Sequence, residues 1–415
     1  MESTSTLFLQ ALRASLQNKT VDWEAGLEPE AWKALFAAAA AHNVLPLIYT
    51  AVIHSPAAQK ADSGLFLPYK RQTLQSVVAQ TVKTDEFLKL LPALRAAGVT
   101  PVVVKGIICR ELYPNPDYRI SSDEDVLIPP AQSDLCHKAL CAGAMVLLDP
   151  QQDMTAFEIP YGKPGSPLHI ELHKHLFPPD SEVSGELNRF FDDVHSRAIV
   201  QTVQGVPVPT LDYTDHLLYL ICHAFKHFLH SGFGIRQVCD ICLYANAYGE
   251  KIDWQLVLDR CREIHGEYFA ASLFRIGQKY LTFDPSRACY PEPWQQIAVD
   301  ETDLLEDLLD SGVFGASTMS RKHSSGITLN AVSSRNQGKA PGGSILKTVF
   351  PPIRSLSGRY PYLKERPYLL PIAWADRIVK YRKETAANAP DNSAAQSLRI
   401  GNQRIRLLKE YKIIR

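Results

Sequence analysis

The residues with the most chemistry lie between Val102 and His175. Asp123-Glu124-Asp125-Val126-Leu127-Ile128 reads as the start of a strand, and strand residues two apart share a face. Asp123 and Asp125 therefore point the same way, with backbones about 6–7 Å apart, so their carboxylates can converge on one cation. Glu124, Val126 and Ile128 face the opposite layer. A second strand, His169-Ile170-Glu171-Leu172-His173, puts Glu171 on one face with His169 and His173. If the two strands are neighbours, Asp123, Asp125 and Glu171 meet. Hard oxygen ligands of this kind suit Mg²⁺, or the related Mn²⁺, and leave room for substrate phosphates. Two such ions can clamp the attacking and leaving oxygens of a phosphoryl-type transfer. Alone, an Asp-x-Asp pair is more often a solvated strand start, so its surroundings matter.

Upstream, Val102-Val103-Val104-Lys105-Gly106 reads as a strand, a tight turn and a helix start. Backbone N–H groups at such a turn can hold phosphate oxygens. Lys105 adds a point charge, and Arg119 a guanidinium that grips phosphate through two bonds; the bland alternative for both is a salt bridge to the nearby acids. His173 and His175 are placed to orient Glu171 or a phosphate. His223 and His227, four apart on a helix, share a face. That spacing can bind zinc with Asp240 or His230, but Ala224 stands where the general-base Glu of H-E-x-x-H would be. Asp212, Asp215 and His216 read as a helix cap. Cys239 and Cys242, one turn apart with no second pair, read as core thiols. Phosphate-binding Walker A, dinucleotide and nucleophile-elbow patterns are missing from the sequence.

The elements that must position these residues fall in three blocks. Residues 1–97 read as helical, with Glu30 to Ala41 and Gln72 to Ala96 as clear helices. Residues 98–210 read as a small α/β core, with short strands at 102–104, 124–128, 144–148, 155–159, 168–173 and 206–209. Helical pattern returns over 211–314, ending in a helix from Glu292 to Leu309. Residues 315–385 open with a Ser-, Gly- and Asn-rich stretch at 315–345 that predicts a mobile loop. Residues 386–415 read as a linker to 397 and a basic amphipathic tail. The fold class is α+β: a small mixed-sheet core flanked by helical regions.

Composition sets limits. The 415 residues are 46% hydrophobic and 21% charged, which is globular. Forty-four basic and 44 acidic residues give a net charge of zero, which excludes a histone-like or strongly acidic chain and gives no strong sign of nucleic-acid binding. The balance hides a split. Residues 316–415 carry 19 Lys plus Arg and 5 Asp plus Glu, a net of +14; residues 1–315 carry 25 and 39, a net of −14. The basic part either neutralises the acidic body or brings cations to an anionic ligand. No signal-peptide or membrane-span pattern appears, and eight cysteines in 415 residues are no disulfide scaffold. The expectation is a cytoplasmic protein with reduced thiols.

This order of residues resembles the nucleotidyltransferase fold of the DNA-polymerase-β-like superfamily, and more closely its bacterial "nucleotidyltransferase family protein" group. The matching residues are Val104-Lys105-Gly106, Leu112-Tyr113-Pro114, Arg119, Asp123-Glu124-Asp125 and Glu171-Leu172-His173. His223-Ala224-Phe225-Lys226-His227 with Arg236 and Asp240, and the later Tyr360-Pro361-Tyr362-Leu363, Leu370-Pro371, Trp374 and Arg377, resemble further segments of the group. Two departures stand out: Lys105-Gly106 replaces the usual Gly-Ser turn, and Glu124 replaces an apolar middle residue.

The resemblance implies transfer of a nucleoside monophosphate from a nucleoside triphosphate, such as ATP, to an acceptor hydroxyl, with pyrophosphate released. Asp123 and Asp125 would hold two Mg²⁺, and Glu171 would bind the second ion and serve as base. Lys105, Gly106 and Arg119 would steady the triphosphate. It also implies that His223, His227 and Asp240 line the cleft and contact nucleotide or acceptor. A sugar, small metabolite, peptide or protein all remain open as acceptor. Two alternatives stand beside this one: a catalytically silent accessory protein that binds a nucleotide or partner, and a zinc-dependent hydrolase on the His223/His227 helix.

Overall fold

The computed structural model describes residues 3–311, 319–336, 350, 353–356, 360, 362–387 and 394–414. Seven strands are present: β1 (Val102–Val104), β2 (Glu124–Leu127), β3 (Val146–Leu147), β4 (Glu158–Gly162), β5 (His169–His173), β6 (Ile199–Val203) and β7 (Val206–Thr210). They form one mixed sheet in the order β3-β4-β5-β2-β1-β7-β6. The three buried valines of β1 sit near its centre, antiparallel to β2 and parallel to β7. Strands β2 and β5 are parallel neighbours, with Asp125 opposite Glu171 and Leu127 opposite His173.

The expected strands appear with shifted ends, and β6 is an addition. It pairs with β7 through a two-residue turn in which Gln204 and Gly205 both have positive φ, 47° and 82°. Such a turn is usually announced by Asn-Gly or Asp-Gly, so Gln-Gly carries a weaker signal.

The first helices, α1 (Ser3–Leu16), α2 (Pro29–Ala41) and α3 (Leu45–Val52), pack on one another, and α3 packs on the long α4 (Leu67–Ala96). Short α5 (Gly106–Arg110) follows β1, and α6 (Ser133–Ala142) lies against α4. Behind the sheet region come α7 (Tyr213–Leu229), α8 (Ile235–Tyr248), α9 (Trp254–Glu263) and α10 (Glu267–Tyr280). Asp212 caps α7, accepting from the N–H groups of Thr214 at 2.9 Å and Asp215 at 2.8 Å. The helix expected over Glu292 to Leu309 is broken. A four-residue turn at Glu292–Gln295 is followed by α11 (Thr302–Ser311), where Asp300 accepts from the Thr302 N–H at 2.9 Å.

The expected loop at 315–345 is corrected in part: Met319–Asn336 is a helix, α12. Its Ser, Gly and Asn content disfavours helix in isolation, but it packs along α7 and the last helix. Arg321 donates to the Ser231 carbonyl at 2.6 Å and pairs with Asp307 at 2.6 Å. Tertiary contacts thus override weak local propensity. Helices α13 (Leu370–Ala387) and α14 (Ala394–Glu410) follow. Residues 315–318 and 337–345 of the expected loop, 388–393 of the expected linker and Pro361 lie outside the described residues. One cluster of buried apolar side chains runs from Phe8 to Ile414, and a small separate one joins Leu356, Tyr360, Leu363 and Ala373. Among the described residues no helix is long and apolar enough to cross a membrane.

Candidate active site

The site begins where β1 ends. Lys105 has φ 44° and ψ −114°, a conformation that residues with a side chain rarely adopt. Gly106 follows at φ 25° and opens α5. A Cβ at position 106 would collide with the Glu124 carboxylate, so the turn needs glycine for space as well as for dihedral freedom. The strained Lys105 is held at both ends. Its N–H donates to His216 Nε2 at 3.0 Å, and its ammonium lies 3.0 Å from Asp125 Oδ1. His216 therefore carries its proton on Nδ1, which faces Thr210 Oγ1 at 3.3 Å. The role of His216 is thus to support the turn, beside the Asp212 cap.

Glu124 explains the charged middle residue of the Asp-x-Asp strand. It is fully buried, and its carboxylate accepts from the Ile107 N–H at 2.9 Å and from Arg110 at 2.5 Å, with Lys83 at 3.6 Å. Burial alone would raise its pKa, but Arg110 and Lys83 outweigh that and hold it below the ordinary value. Thr84 and Ser121 accept from the same Arg110, at 2.6 and 2.9 Å. This network ties β2, α4 and α5 together behind the site. Of the turn's backbone N–H groups, expected to hold phosphate, those of Lys105 and Ile107 are already spent on His216 and Glu124.

On the opposite face of β2 the register brings Asp125 beside Glu171. Ligand atoms of Asp125, Glu171 and His173 all lie within 4.8 Å of one another. His173 Nε2 is 2.9 Å from Asp125 Oδ1 and 3.6 Å from Glu171 Oε2. Burial pulls the imidazole toward the neutral form, but hydrogen bonds to Asp125 and Glu171 prevail and hold its pKa at about 9. Burial likewise works against the Asp125 charge, yet Lys105 and His173 keep it well below the carboxylate range. Glu171 goes the other way: burial, with Asp125 and Asp123 nearby, raises its pKa. Asp123 precedes the strand, half-buried, and lines the same cleft.

That cleft is also lined by Arg119, His223, Arg236, Gln237 and Asp240. Arg119 is 3% exposed and clamps Asp240 through Nε at 3.1 Å and Nη2 at 2.6 Å. Tyr113 donates to the same Asp240 at 2.7 Å. Asp240 is therefore a fixed counter-charge for Arg119. His223 lines the cleft, while His227 stands behind it, its Nε2 3.1 Å from His223 Nε2. Among the described residues this pair gathers no third metal-type ligand; the group that converges is Asp125, Glu171 and His173. His175 is exposed beyond the end of β5 and lines a different cavity, with Leu127 and His195. Cys239 and Cys242 are buried free thiols.

Sequence reasoning did not include Gln237, Ser121 or Leu220 in the cleft, and it carried Arg236 only as part of a motif. A signal existed for two of them: Arg236 and Gln237 lie four and three residues before Asp240, hence on its helix face.

A divalent cation can be tested against these residues. Asp125 Oδ2 is buried without a partner, while Oδ1 serves Lys105 and His173. A hard, oxygen-rich donor set with one unsatisfied carboxylate oxygen fits such an ion.

The family model described as "Uncharacterised nucleotidyltransferase" matches residues 28–282. The chain belongs to that family. The match contains the whole sheet, the cleft and helices α2 to α10. This nucleotidyltransferase is accordingly an enzyme of the transferase class, with a nucleoside triphosphate and a divalent metal as the reactants its family implies. No curated protein matches the chain.

Proposed function

We propose that the enzyme moves a nucleoside monophosphate from a nucleoside triphosphate to an acceptor hydroxyl. The observation that carries this reading is the parallel pairing of β2 and β5, which sets Glu171 beside Asp125, a residue that lines the cleft together with Asp123. Asp123, Asp125 and Glu171 hold the divalent metal, taken as Mg²⁺. When bound, it supplies charge stabilisation at the phosphate oxygens. Lys105 and Arg119 steady the triphosphate, with the Gly106 turn setting their distance. His173, charged and bonded to Asp125, orients the carboxylates, and Asp240 keeps Arg119 in place.

Glu171, whose raised pKa makes it a better proton acceptor, takes the proton of the acceptor hydroxyl. The hydroxyl oxygen forms a bond to the α-phosphorus, the bond between α-phosphorus and the bridging oxygen breaks, and pyrophosphate leaves with that electron pair. The environment is acidic on one side and cationic on the other, as separation of negative charge during the transfer requires.

Asn at positions 123 and 125 tests the reading. Pyrophosphate release with Mg²⁺ should fall by roughly 10²–10³-fold for each variant, while the fold is kept. Unchanged release would place the site elsewhere. Wild-type protein that binds triphosphate by calorimetry yet releases no pyrophosphate with any hydroxyl acceptor would favour a silent accessory protein instead.

A further inference from the structure

Arg236 is the cation of the cleft that the protein leaves unbalanced. It lies in the first turn of α8 and faces the cleft beside Gln237. One of its N–H groups donates to the Ile120 carbonyl, while Nε is buried without a partner. Among the described residues it makes no ion pair. The acids within electrostatic reach are Asp240 and Asp123, and Asp240 is already clamped by Arg119. Burial and the neighbouring Arg119 charge both disfavour its protonated form. A half-buried guanidinium whose Nε is shut off from water costs stability unless something else supplies the counter-charge.

Three more residues that line the cleft carry a buried atom without a partner. Arg119 Nη1, on a side chain 3% exposed, has no partner, nor have Gln237 Oε1 and His223 Nδ1. Two guanidinium groups with unsatisfied N–H donors thus belong to the same cleft as the carboxylates. Carboxylate ligands and a metal need no such donors. A ligand group with several strong acceptor oxygens and negative charge does, because guanidinium N–H groups match phosphate geometry.

We propose that Arg236, with Arg119 Nη1, forms a phosphate-binding subsite that receives a phosphate group of the cleft's ligand. This rests on the nucleotidyl-transfer reading and deepens it: the subsite takes either the pyrophosphate end of the triphosphate or a phosphate carried by the acceptor. In the first case it also holds the leaving group as its negative charge grows.

The test uses full-length protein with Arg236→Gln and Arg236→Lys, and two probes by calorimetry with Mg²⁺: inorganic pyrophosphate and a phosphate monoester, glycerol phosphate. Arg236→Gln should weaken one probe at least 10-fold, with Arg236→Lys in between. Loss toward pyrophosphate assigns the subsite to the triphosphate, and loss toward glycerol phosphate assigns it to the acceptor. Melting temperature is the second readout. Because Arg236→Gln removes an unbalanced, half-buried charge, it should leave the melting temperature unchanged or raise it. Equal affinity for both probes in wild type and variant overturns the subsite, as does weaker binding accompanied by a lower melting temperature, which marks a structural arginine. Wild-type pyrophosphate release separates the two readings: if it is present while Arg236→Gln binds both probes normally, the subsite fails and nucleotidyl transfer stands. If wild type neither releases pyrophosphate nor binds triphosphate, the transfer reading itself fails.

Discussion

Glu124 and Gly106 show how tightly a single position can be bound by its neighbour across a turn. The Glu124 carboxylate occupies the space where a side chain at 106 would go, and it neutralises Arg110 and Lys83. Gly106→Ala should therefore destabilise the protein by about 2 kcal/mol or more, through the clash and the positive φ together. Glu124→Gln should cost about 3–5 kcal/mol, because two buried cations lose their counter-charge. Urea unfolding measures both, and a loss below about 1 kcal/mol for Glu124→Gln would mean that the network is not a stabilising unit. Asp125, one residue on, points to the opposite face, beside Glu171 and into the cleft. The alternation of a strand thus separates an acid spent on buried cations from one that lines the cleft, one residue apart.

At the scale of elements, His42 joins three of them. It stands at the end of α2, its Nε2 is 3.1 Å from the Leu309 carbonyl of α11, and its Nδ1 accepts from the Ile235 N–H that opens α8 at 3.3 Å. Burial pushes its pKa down to about 4, and the Leu309 carbonyl only partly offsets this. The fold therefore holds the neutral ring. Stability from this group is complete above pH 6.5 and is lost as pH falls toward 4. Burial also depresses His216 to about 3 and His230 to about 4, so both act in the same direction. Between pH 7 and pH 4.5, wild type should lose about 2–3 kcal/mol more than His42→Gln. Denaturant midpoints at the two pH values check this, and parallel losses would show that His42 is not the group responsible. Because His42 supports the start of α8, acid would also loosen the helix that carries Arg236, Gln237 and Asp240.

For the whole molecule, the opposed charges of the two parts find a structural use. The basic C-terminal helices reach back onto the acidic body. Arg321 pairs with Asp307, and Arg404 lies 3.6 Å from the same carboxylate. Arg404 also donates to the carbonyls of Phe228 and His230 at the end of α7. Leu407, Leu408, Tyr411, Ile413 and Ile414 are buried in the main core. Truncation before Gly315 should therefore leave an apolar seat open and Asp307 without partners. The expected result is loss of solubility and a lowered melting temperature. A truncated protein that stays folded and soluble but loses transfer activity would instead mean that the basic segment supplies cations to the ligand.

Local patterns in the sequence were enough for the strand–turn–helix at Lys105-Gly106, the Asp123/Asp125 face, the Glu171 strand and the helical flanks, because strand alternation, β-branched runs and caps act over a few residues. The α+β class and the family followed from the order of those pieces. Long-range pairing was not legible: that β2 and β5 are parallel neighbours, that His173 bonds Asp125 across 48 positions, or that Asp240 is spent on Arg119 across 121 positions. The helix at Met319–Asn336 was hidden for the same reason, since its stability comes from partners remote in sequence. Residue type and spacing determined which groups could do chemistry. Only the tertiary structure decided which of their charges are already balanced, because counter-charges are supplied by proximity in space: Arg119 has Asp240 and Lys105 has Asp125, while Arg236 makes no ion pair among the described residues.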